Sequence, residues 1–232
     1  MQNTGYIHHQ NSQIASLLRE IVFGMEDGMV STLGSITGIA VGSRDHYTVI
    51  LAGIVIIAVE SISMGIGSFL SNRSQEEVDK RKLWEEEQEI QNSLVSEKSL
   101  LKKMYQKDGW PEHLAVAMSE TAAQNPQLML KEMALRELGV LPQKKPTSAK
   151  GGVYMFFAYV MGGAIPLFAY FIFDIDKAIL ISIAMTLAGL MILGAGTTKY
   201  TKQPALKSGL RMLMIGGTAL AAGLAAGLLV KK

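Results

Sequence analysis

Long apolar runs fill both ends of the chain, and one long polar segment separates them. Five runs are long enough to cross about 30 Å of hydrocarbon at about 1.5 Å per residue. They cover 21–42, 48–70, 152–173, 178–198 and 210–230. The pattern predicts an all-α integral membrane protein with five transmembrane helices. Burial of five such runs inside a soluble protein is the alternative, and it is disfavoured because so much apolar surface is hard to cover without lipid.

The polar segment, 71–150, carries thirteen acidic and thirteen basic residues. Helix-forming residues without Gly or Pro run from Gln75 to Gln106. One face of this helix carries the apolar residues Leu83, Ile90, Leu94 and Leu101. Further helices are predicted at about 112–123 and from Asn125-Pro126 to Leu138, where Gly139 is a natural cap. The segment is therefore predicted to be a cytoplasmic three-helix insert between spans 2 and 3.

This reading divides the chain into three parts. Residues 1–70 hold an interfacial helix at Ile14–Arg19 and spans 1 and 2, residues 71–150 form the insert, and residues 151–232 hold spans 3 to 5. Pro142 and Pro146 form the predicted linker from the insert to the membrane. Lys and Arg lie mostly beside the segments that a cytoplasmic N-terminus would place inside, so we expect N-in and C-out. The polar N-terminus without a signal-peptide pattern favours a prokaryotic plasma membrane.

Composition excludes several classes of function. The net charge is only +2 and the basic residues form no patch, so a nucleic-acid partner is not expected. The chain has no cysteine, which excludes thiolate metal sites and thiol nucleophiles. The histidines (His8, His9, His46 and His113) form no metal or catalytic motif, and no nucleotide-binding loop is present. We expect neither an enzyme nor a tightly bound cofactor.

Carboxylates interrupt the first two spans. Glu26 and Asp27 lie in the first, and Glu60 lies in the second with Met64 one helical turn later. A charged side chain within a bilayer is costly and usually faces a bundle interior or a water-filled path. Glu26 is rotated by about 100° from Asp27 and is given a peripheral role. The sequence predicts a cation or proton path through Asp27, Glu60 and Met64, with interhelical hydrogen bonds of the two acids as the alternative.

Small residues recur at helix-packing spacing in the first and last spans. Glycines follow one another at four-residue intervals: Gly24 and Gly28, then Gly34, Gly38 and Gly42, and finally Gly223 and Gly227. Such stripes let two helix backbones approach closely. The spacing is compatible with contacts inside one protomer and with contacts across a dimer.

A second acidic group lies in the insert. On a continuous helix Glu86, Glu89 and Glu97 fall within an arc of about 80° beside the apolar face. Met133 and Glu137 share a face of the last predicted helix at a spacing of four. Clustered carboxylate oxygens bind hard divalent cations, and a thioether adds preference for a softer metal such as Fe(II). The ordinary alternative is a solvated acidic face that is paired with nearby lysines.

Several motifs together resemble the vacuolar iron transporter family. They are REIVFGMEDGMVSTLGSITGIA, ESISMGIGSFLSNRSQ, the Glu-rich helix and NPQLMLKEMALRELG, and they extend over nearly the whole chain. The resemblance implies a five-span homodimer that exports Fe(II), and often Mn(II), in exchange for protons. It also implies pathway roles for Asp27 and Met64. Metal ligands in the cytoplasmic domain would be Glu86, Glu89, Glu97, Met133 and Glu137.

Two positions depart from the family pattern. Leu100 stands where the family helix usually carries a further glutamate, three residues after Glu97. Ile56 stands about two turns before Met64, where the family tends to place a pore glutamate, and the acid of this span is Glu60 instead. The metal count of the insert and the role of Glu60 are therefore open at this point.

The leading hypothesis is a proton-coupled exporter of Fe(II), with Mn(II) as a second substrate. The first alternative is a membrane-anchored protein that senses or stores metal without transporting it. A purely structural membrane protein is a third hypothesis, and it requires no metal affinity. The acids within the spans favour the first hypothesis, because neither alternative needs a charge in lipid.

Overall fold

The computed structural model describes residues 12–140 and 148–230. The chain divides into two compact units, of which one is Ser71–Pro146 and the other contains the chain on both sides of it. The predicted linker prolines Pro142 and Pro146, and the tail histidines His8 and His9, lie outside the described residues. We call the two parts the membrane unit and the polar unit and describe each by itself.

The described residues of the membrane unit form five helices: α1 (Ser12–Ser43), the first part of α2 (His46–Lys107, which leaves the unit after Leu70), α5 (Ser148–Ile172), α6 (Ile175–Thr201) and α7 (Ala205–Val230). Among the described residues, α2, α5, α6 and α7 are long and apolar enough to cross a membrane. Helix α1 is long enough at 32 residues, but its acids and its many Gly, Ser and Thr residues lower its apolar content. Its crossing stays a prediction.

Helix α1 also differs from the predicted layout at its start. Residues 14–19 do not form a separate interfacial helix, because one uninterrupted helix runs from Ser12 to Ser43. The residues from Ser12 to Phe23 include neither proline nor glycine, so nothing separates this segment from the rest of the helix. The interfacial helix predicted at Ile14–Arg19 is therefore wrong as a separate element.

Close backbone contacts hold α1 against two neighbours. A Cβ added at Gly28 would lie 2.4 Å from the carbonyl oxygen of Tyr159 on α5. On the other side, a Cβ added at Gly38 would lie 2.5 Å from the carbonyl oxygen of Gly223 on α7. The glycine stripes thus serve contacts within one protomer, and they bring α5 and α7 to backbone distance from α1.

The membrane part of α2 is less deeply packed. Gly65 lies against the carbonyl oxygen of Gly152, and Gly53 lies against the side chain of Leu167, so both contacts are with α5. Another face of the same helix leaves Val59, Ile62 and Ile66 more than half exposed. Exposed apolar side chains on a spanning helix are ordinary because lipid covers them.

The polar unit consists of helices throughout its described part. The continuation of α2 ends at Lys107, α3 is Glu112–Ala123, and α4 is Pro126–Met133 followed by a π-helical turn at Ala134–Leu138. Asn125 caps α4 with its side chain, and Gly139 has the left-handed conformation that ends the turn. These ends confirm the predicted second and third helices. The apolar core contains Ile90, Leu101, Tyr105, Ala115, Ala122, Met129 and Met133.

The long predicted helix of this unit is broken at Ser93. Its backbone angles (φ −143°, ψ 43°) are not helical, so His46–Lys107 is two helices joined at this residue. The apolar face was predicted on the assumption that the helix is continuous. Leu94, next to it, is 41% exposed, whereas Ile90 and Leu101 are buried. The prediction of a single helix is wrong because no glycine or proline marks the change of direction.

Contact between α1 and α7 can be tested by adding one methyl group. We expect Gly223→Ala to destabilise the protein by about 1–3 kcal/mol, because the added Cβ would lie 2.0 Å from the carbonyl oxygen of Gly34. Thermal unfolding in detergent measures the effect. Gly217→Ala in the same helix is the matched control, since nothing lies within 4 Å of its added Cβ. Equal unfolding temperatures for the two variants would contradict the described packing.

Candidate metal sites

The change of direction at Ser93 brings together acids that a straight helix would hold apart. Glu86 and Glu97 are eleven residues apart, and a continuous α-helix would separate their backbones by about 16 Å. In the structure one carboxylate oxygen from each of Glu86, Glu97 and Glu137 lies within 4.8 Å of the others. The sequence argument placed Glu86 and Glu97, together with Glu89, on a common arc of one helix. Glu86 and Glu97 meet instead because the helix is broken between them at Ser93.

Two of these three carboxylates, which we call the acid cluster, are removed from water. Glu86 is 3% exposed and Glu97 is 8% exposed, and Glu137 lies on the open side of the cluster. Atoms Oε1 of Glu86 and Oε2 of Glu97 are buried without a hydrogen-bond partner. An unsatisfied buried carboxylate oxygen is costly. The acid cluster therefore contains two buried acceptor atoms without a donor, which a cation would satisfy.

Burial and mutual repulsion raise the proton affinity of the acid cluster. Burial, followed by the charges of Glu137, Glu97 and Glu89, raises the pKa of Glu86 to about 7. The pKa of Glu97 is also raised, first by its burial and then by Glu137 and Glu89. The acid cluster therefore binds protons more readily than isolated glutamates do, and a cation would compete with those protons.

Other acids of the polar unit lie on the surface and pair with basic residues, as the solvated-face alternative of the sequence analysis described. Glu77 and Glu85 pair with arginines one turn away on α2, at 2.6 and 2.7 Å. Glu132 accepts hydrogen bonds from Tyr105 and from Arg136, whose guanidinium group also lies over the Tyr105 ring. Within the described part of the chain, no ion pair of this kind involves Glu86, Glu97 or Glu137. The solvated-face interpretation therefore applies to the former acids and not to the acid cluster.

The remaining predicted ligands occupy other positions. Glu89 is exposed, and its charge acts on Glu86 and Glu97 from outside the group of three. Met133 is fully buried in the apolar core of the unit. Leu100, the departure from the family pattern, packs against the same core. Glu137 belongs to the π-helical turn, a rare element that often accompanies functional sites.

In the membrane unit, Asp27 lies where the backbones of α1 and α5 come close together. Gly28 contacts the backbone of Tyr159, and a Cβ added at Gly162 would lie 2.3 Å from the carbonyl oxygen of Met25. The carboxylates of Asp27 and Glu60 are near enough to repel each other. The structure thus brings together the two acids that the sequence predicted on separate spans.

Tyr159 is a polar residue of this region that the sequence reasoning did not select. It is fully buried, and its hydroxyl forms a hydrogen bond of 2.5 Å with that of Ser31, one turn after Asp27. Both Asp27 and Glu60 act electrostatically on the same hydroxyl. The sequence did carry a signal for this residue, because Tyr159 lies within an apolar run that also contains glycines. A tyrosine buried there needs a hydrogen-bond partner for its hydroxyl.

The other predicted pathway residues lie on more open surface. Glu60 is exposed on α2, and Met64 is half-buried one turn farther along the same face. Glu26 is half-buried and lies close enough to Asp27 for their charges to interact. Ile56 offers no carboxylate, so Glu60 is the acidic side chain of this part of α2.

Comparison with known proteins agrees with these features. The sequence profile of the VIT family matches residues 18–228. The chain belongs to the VIT family. It is 29% identical over 210 residues to "Vacuolar iron transporter 1" of Tulipa gesneriana, covering 90% of this chain and 85% of the relative. The Arabidopsis thaliana protein of the same name is 28% identical over 218 residues, covering 93% and 87%. A "Vacuolar iron transporter" of Toxoplasma gondii is 26% identical over 222 residues, covering 91% and 73%.

In this VIT family member, removal of the Glu86 charge from the acid cluster should raise stability and weaken metal binding. Without metal, we expect Glu86→Gln to raise the free energy of unfolding at pH 8 by about 1 kcal/mol, because it removes a buried repulsion. The gain should shrink as the pH falls from 7 and vanish below about 4.5, where wild-type Glu86 is protonated in both the folded and the unfolded state. Thermal unfolding of the full chain in detergent measures it, with the exposed Glu87→Gln as control. Added Mn(II) should stabilise the wild type and not Glu86→Gln.

Proton competition should make metal binding depend on pH. Because the pKa of Glu86 is raised to about 7, its proton must leave before a cation binds below that pH. We expect the Mn(II) affinity of the full chain to fall up to about tenfold per pH unit below 7 and to level off above it. Titration calorimetry at pH 6, 7 and 8 checks this, with Glu87→Gln retaining the wild-type profile. An affinity that stays constant over this range would contradict the role of the buried carboxylates.

Proposed function

We propose that this VIT family member is a membrane transporter that exports Fe(II), and also Mn(II), in exchange for protons. The observation that carries the proposal is the pair of acids, Asp27 and Glu60, that interact inside the membrane unit of a chain with this family membership. Relatives that align over most of the chain are named vacuolar iron transporters. The acid cluster of the polar unit supplies a separate oxygen site for the same kind of cation.

The proposed transport path uses Asp27, Glu60 and Met64. Two carboxylate groups provide hard oxygen ligands, and the thioether of Met64 favours Fe(II) or Mn(II) over Mg²⁺ and Ca²⁺. When the cation leaves, protons neutralise the two acids, so metal and protons move in opposite directions. A cytoplasmic N-terminus, with five spans including α1, puts the polar unit on the side from which metal is collected. Its acids then serve as the first binding site.

We also propose that the working unit is a homodimer. Glu60 is exposed on the surface of one protomer, within an apolar stretch of α2. Lipid is a poor environment for a carboxylate, whereas a second copy of the chain would cover this face and enclose the acid. The nearby exposed side chains Val59 and Ile62 supply apolar contact area for the same interface. In this arrangement Glu60 replaces the glutamate that is absent at Ile56.

A metal-sensing or metal-storing membrane protein is the second candidate. The observation in its favour is the acid cluster, whose buried and unpaired oxygens lie entirely within the polar unit and need no transport path. This candidate predicts that substitution of Asp27 or Glu60 leaves metal handling unchanged. The transport assay below therefore distinguishes it from the exporter.

Flux through the reconstituted protein tests the proposal. In proteoliposomes with an imposed pH gradient, we expect Fe(II) and Mn(II) movement together with an opposite proton flux. Asp27→Asn, Glu60→Gln and Met64→Leu should each reduce the metal flux more than about tenfold, because each removes a ligand or a proton acceptor from the path. Metal-quenched and pH-sensitive dyes inside the vesicles report the two fluxes.

Glu26→Gln is the matched control, because it removes a neighbouring carboxylate that lies on another face of α1. Its flux should stay close to that of the wild type. Monodisperse elution in detergent shows that each variant is folded. A folded wild-type protein with no metal flux would reject the exporter, and retained metal binding in that protein would favour the second candidate.

A further inference from the structure

Arg136 is a partly buried arginine beside the acid cluster that the proposed function does not use. Its side chain is 22% exposed and forms ion pairs with Glu132, at 3.2 Å, and with Asp108. Its guanidinium group lies 4.5 Å from the centre of the Tyr105 ring, and the Tyr105 hydroxyl donates a hydrogen bond of 3.0 Å to Glu132. We call these four side chains the arginine network. A guanidinium group that is stacked on a ring and paired twice is held more firmly than one in a single exposed ion pair.

The arginine network joins the end of α2 to the π-helical turn that follows α4. Tyr105 lies in the last turn of α2 and Asp108 directly follows this helix, whereas Arg136 lies in the π-helical turn. The second part of α2, after its break, also carries Glu97. The network therefore fastens the π-helical turn to the same helix that supplies one buried carboxylate of the acid cluster.

The π-helical turn also carries Glu137, the residue after Arg136. Hydrogen bonds of the π type enclose one more residue than those of an α-helix, so Glu137 points in a direction that an α-helical turn would not give it. The amides of Gly139 and Val140 both donate to the carbonyl oxygen of Ala134 and close the turn. Glu137 is exposed, so packing around its own side chain does not fix its position. Its place in the acid cluster therefore depends on what holds the backbone of the turn.

We propose that Arg136 is a positioning residue of the metal site, which fastens the π-helical turn to α2 and so keeps the carboxylate of Glu137 beside that of Glu97. The proposal rests on the acid cluster as the first binding site of the proposed function. Arg136 itself contacts no cation in this arrangement. Its charge is paired with the two acids of the arginine network, and it acts on the metal through Glu137 alone.

A purely structural role of Arg136 is the contrasting possibility. Ala134 and Val140 are buried, and in that case they would fix the turn without help from the arginine network. Arg136 would then contribute only to the stability of the polar unit. The two possibilities differ once Glu137 has been removed. An effect of Arg136 that acts through Glu137 then disappears, whereas an effect on general stability persists.

A double-mutant cycle of Mn(II) binding tests the proposal. The measured quantity is the part of the Mn(II) binding of the full chain that Glu86→Gln removes, determined by titration calorimetry at pH 8. We expect Arg136→Gln and Glu137→Gln each to weaken this binding about tenfold. The double variant should bind no more weakly than Glu137→Gln alone. Arg136→Lys keeps the charge without the planar fork, and it should restore part of the affinity.

Arg73→Gln is the matched control, because it breaks an exposed arginine–glutamate pair elsewhere in the polar unit and should keep the wild-type affinity. Additive losses in the double variant would overturn the proposal. An unchanged affinity in Arg136→Gln or in Glu137→Gln would also overturn it. Should Arg136→Gln fail to elute as a monodisperse protein, Asp108→Asn decides, because it removes one ion pair of the arginine network and leaves the other contacts. It should weaken binding about threefold, and wild-type affinity would overturn the proposal.

Binding measured in detergent keeps this test separate from the transport assay. Thermal unfolding of each variant without metal reports general stability, and a purely structural role predicts lower stability together with additive binding losses. Additive losses in a protein that transports metal would reject the positioning role alone. Absence of flux in a protein that shows the expected cycle would instead reject the proposed exporter and leave the positioning role supported.

Discussion

Negative charge in places with little water is the constraint on which this structure depends. A buried carboxylate loses its hydration, and the loss is recovered only by a proton, by a cation or by several hydrogen-bond donors. The acid cluster has no ion-paired cation among the described residues and leaves two oxygen atoms without a donor. Asp27 and Glu60 are a second pair of acids with interacting charges, inside the membrane unit, where Asp27 is half-buried and Glu60 is exposed. A proton or a divalent cation would relieve the repulsion in either place.

Close helix packing makes these charged positions possible. Glycines at the contacts of α1 with α5 and α7 allow the backbones to approach where any larger residue would separate them. In a membrane such contacts provide much of the attraction between helices, because lipid is as apolar as the side chains. Asp27 is thereby fixed on a helix that is held from two sides. Rigid support of this kind would hold Asp27 in place for the cation binding proposed above.

The polar unit separates two uses of acidic side chains. Surface acids such as Glu77 and Glu85 pair with arginines on the same helix, which contributes little to stability and keeps the surface soluble. Glu86 and Glu97 are buried without such a partner, which destabilises the unit when both are ionised. Leu100 strengthens the apolar core instead of adding a further carboxylate. Family membership and relatives below 30% identity are consistent with such exchanges around a common arrangement.

Much of the architecture could be read from the sequence, because apolar length, glycine spacing and cap residues act locally. The apolar runs of α2, α5, α6 and α7, the ends of the polar-unit helices near Asn125 and Gly139, and the acids of the first two spans are all of this kind. Which helices the glycines join, and the meeting of Asp27 with Glu60, were decided by tertiary contacts between distant parts of the chain. The break at Ser93 carries no glycine or proline, so only the folded unit could reveal it. On one continuous helix Glu86 and Glu97 would be separated by about 16 Å and could not form the acid cluster.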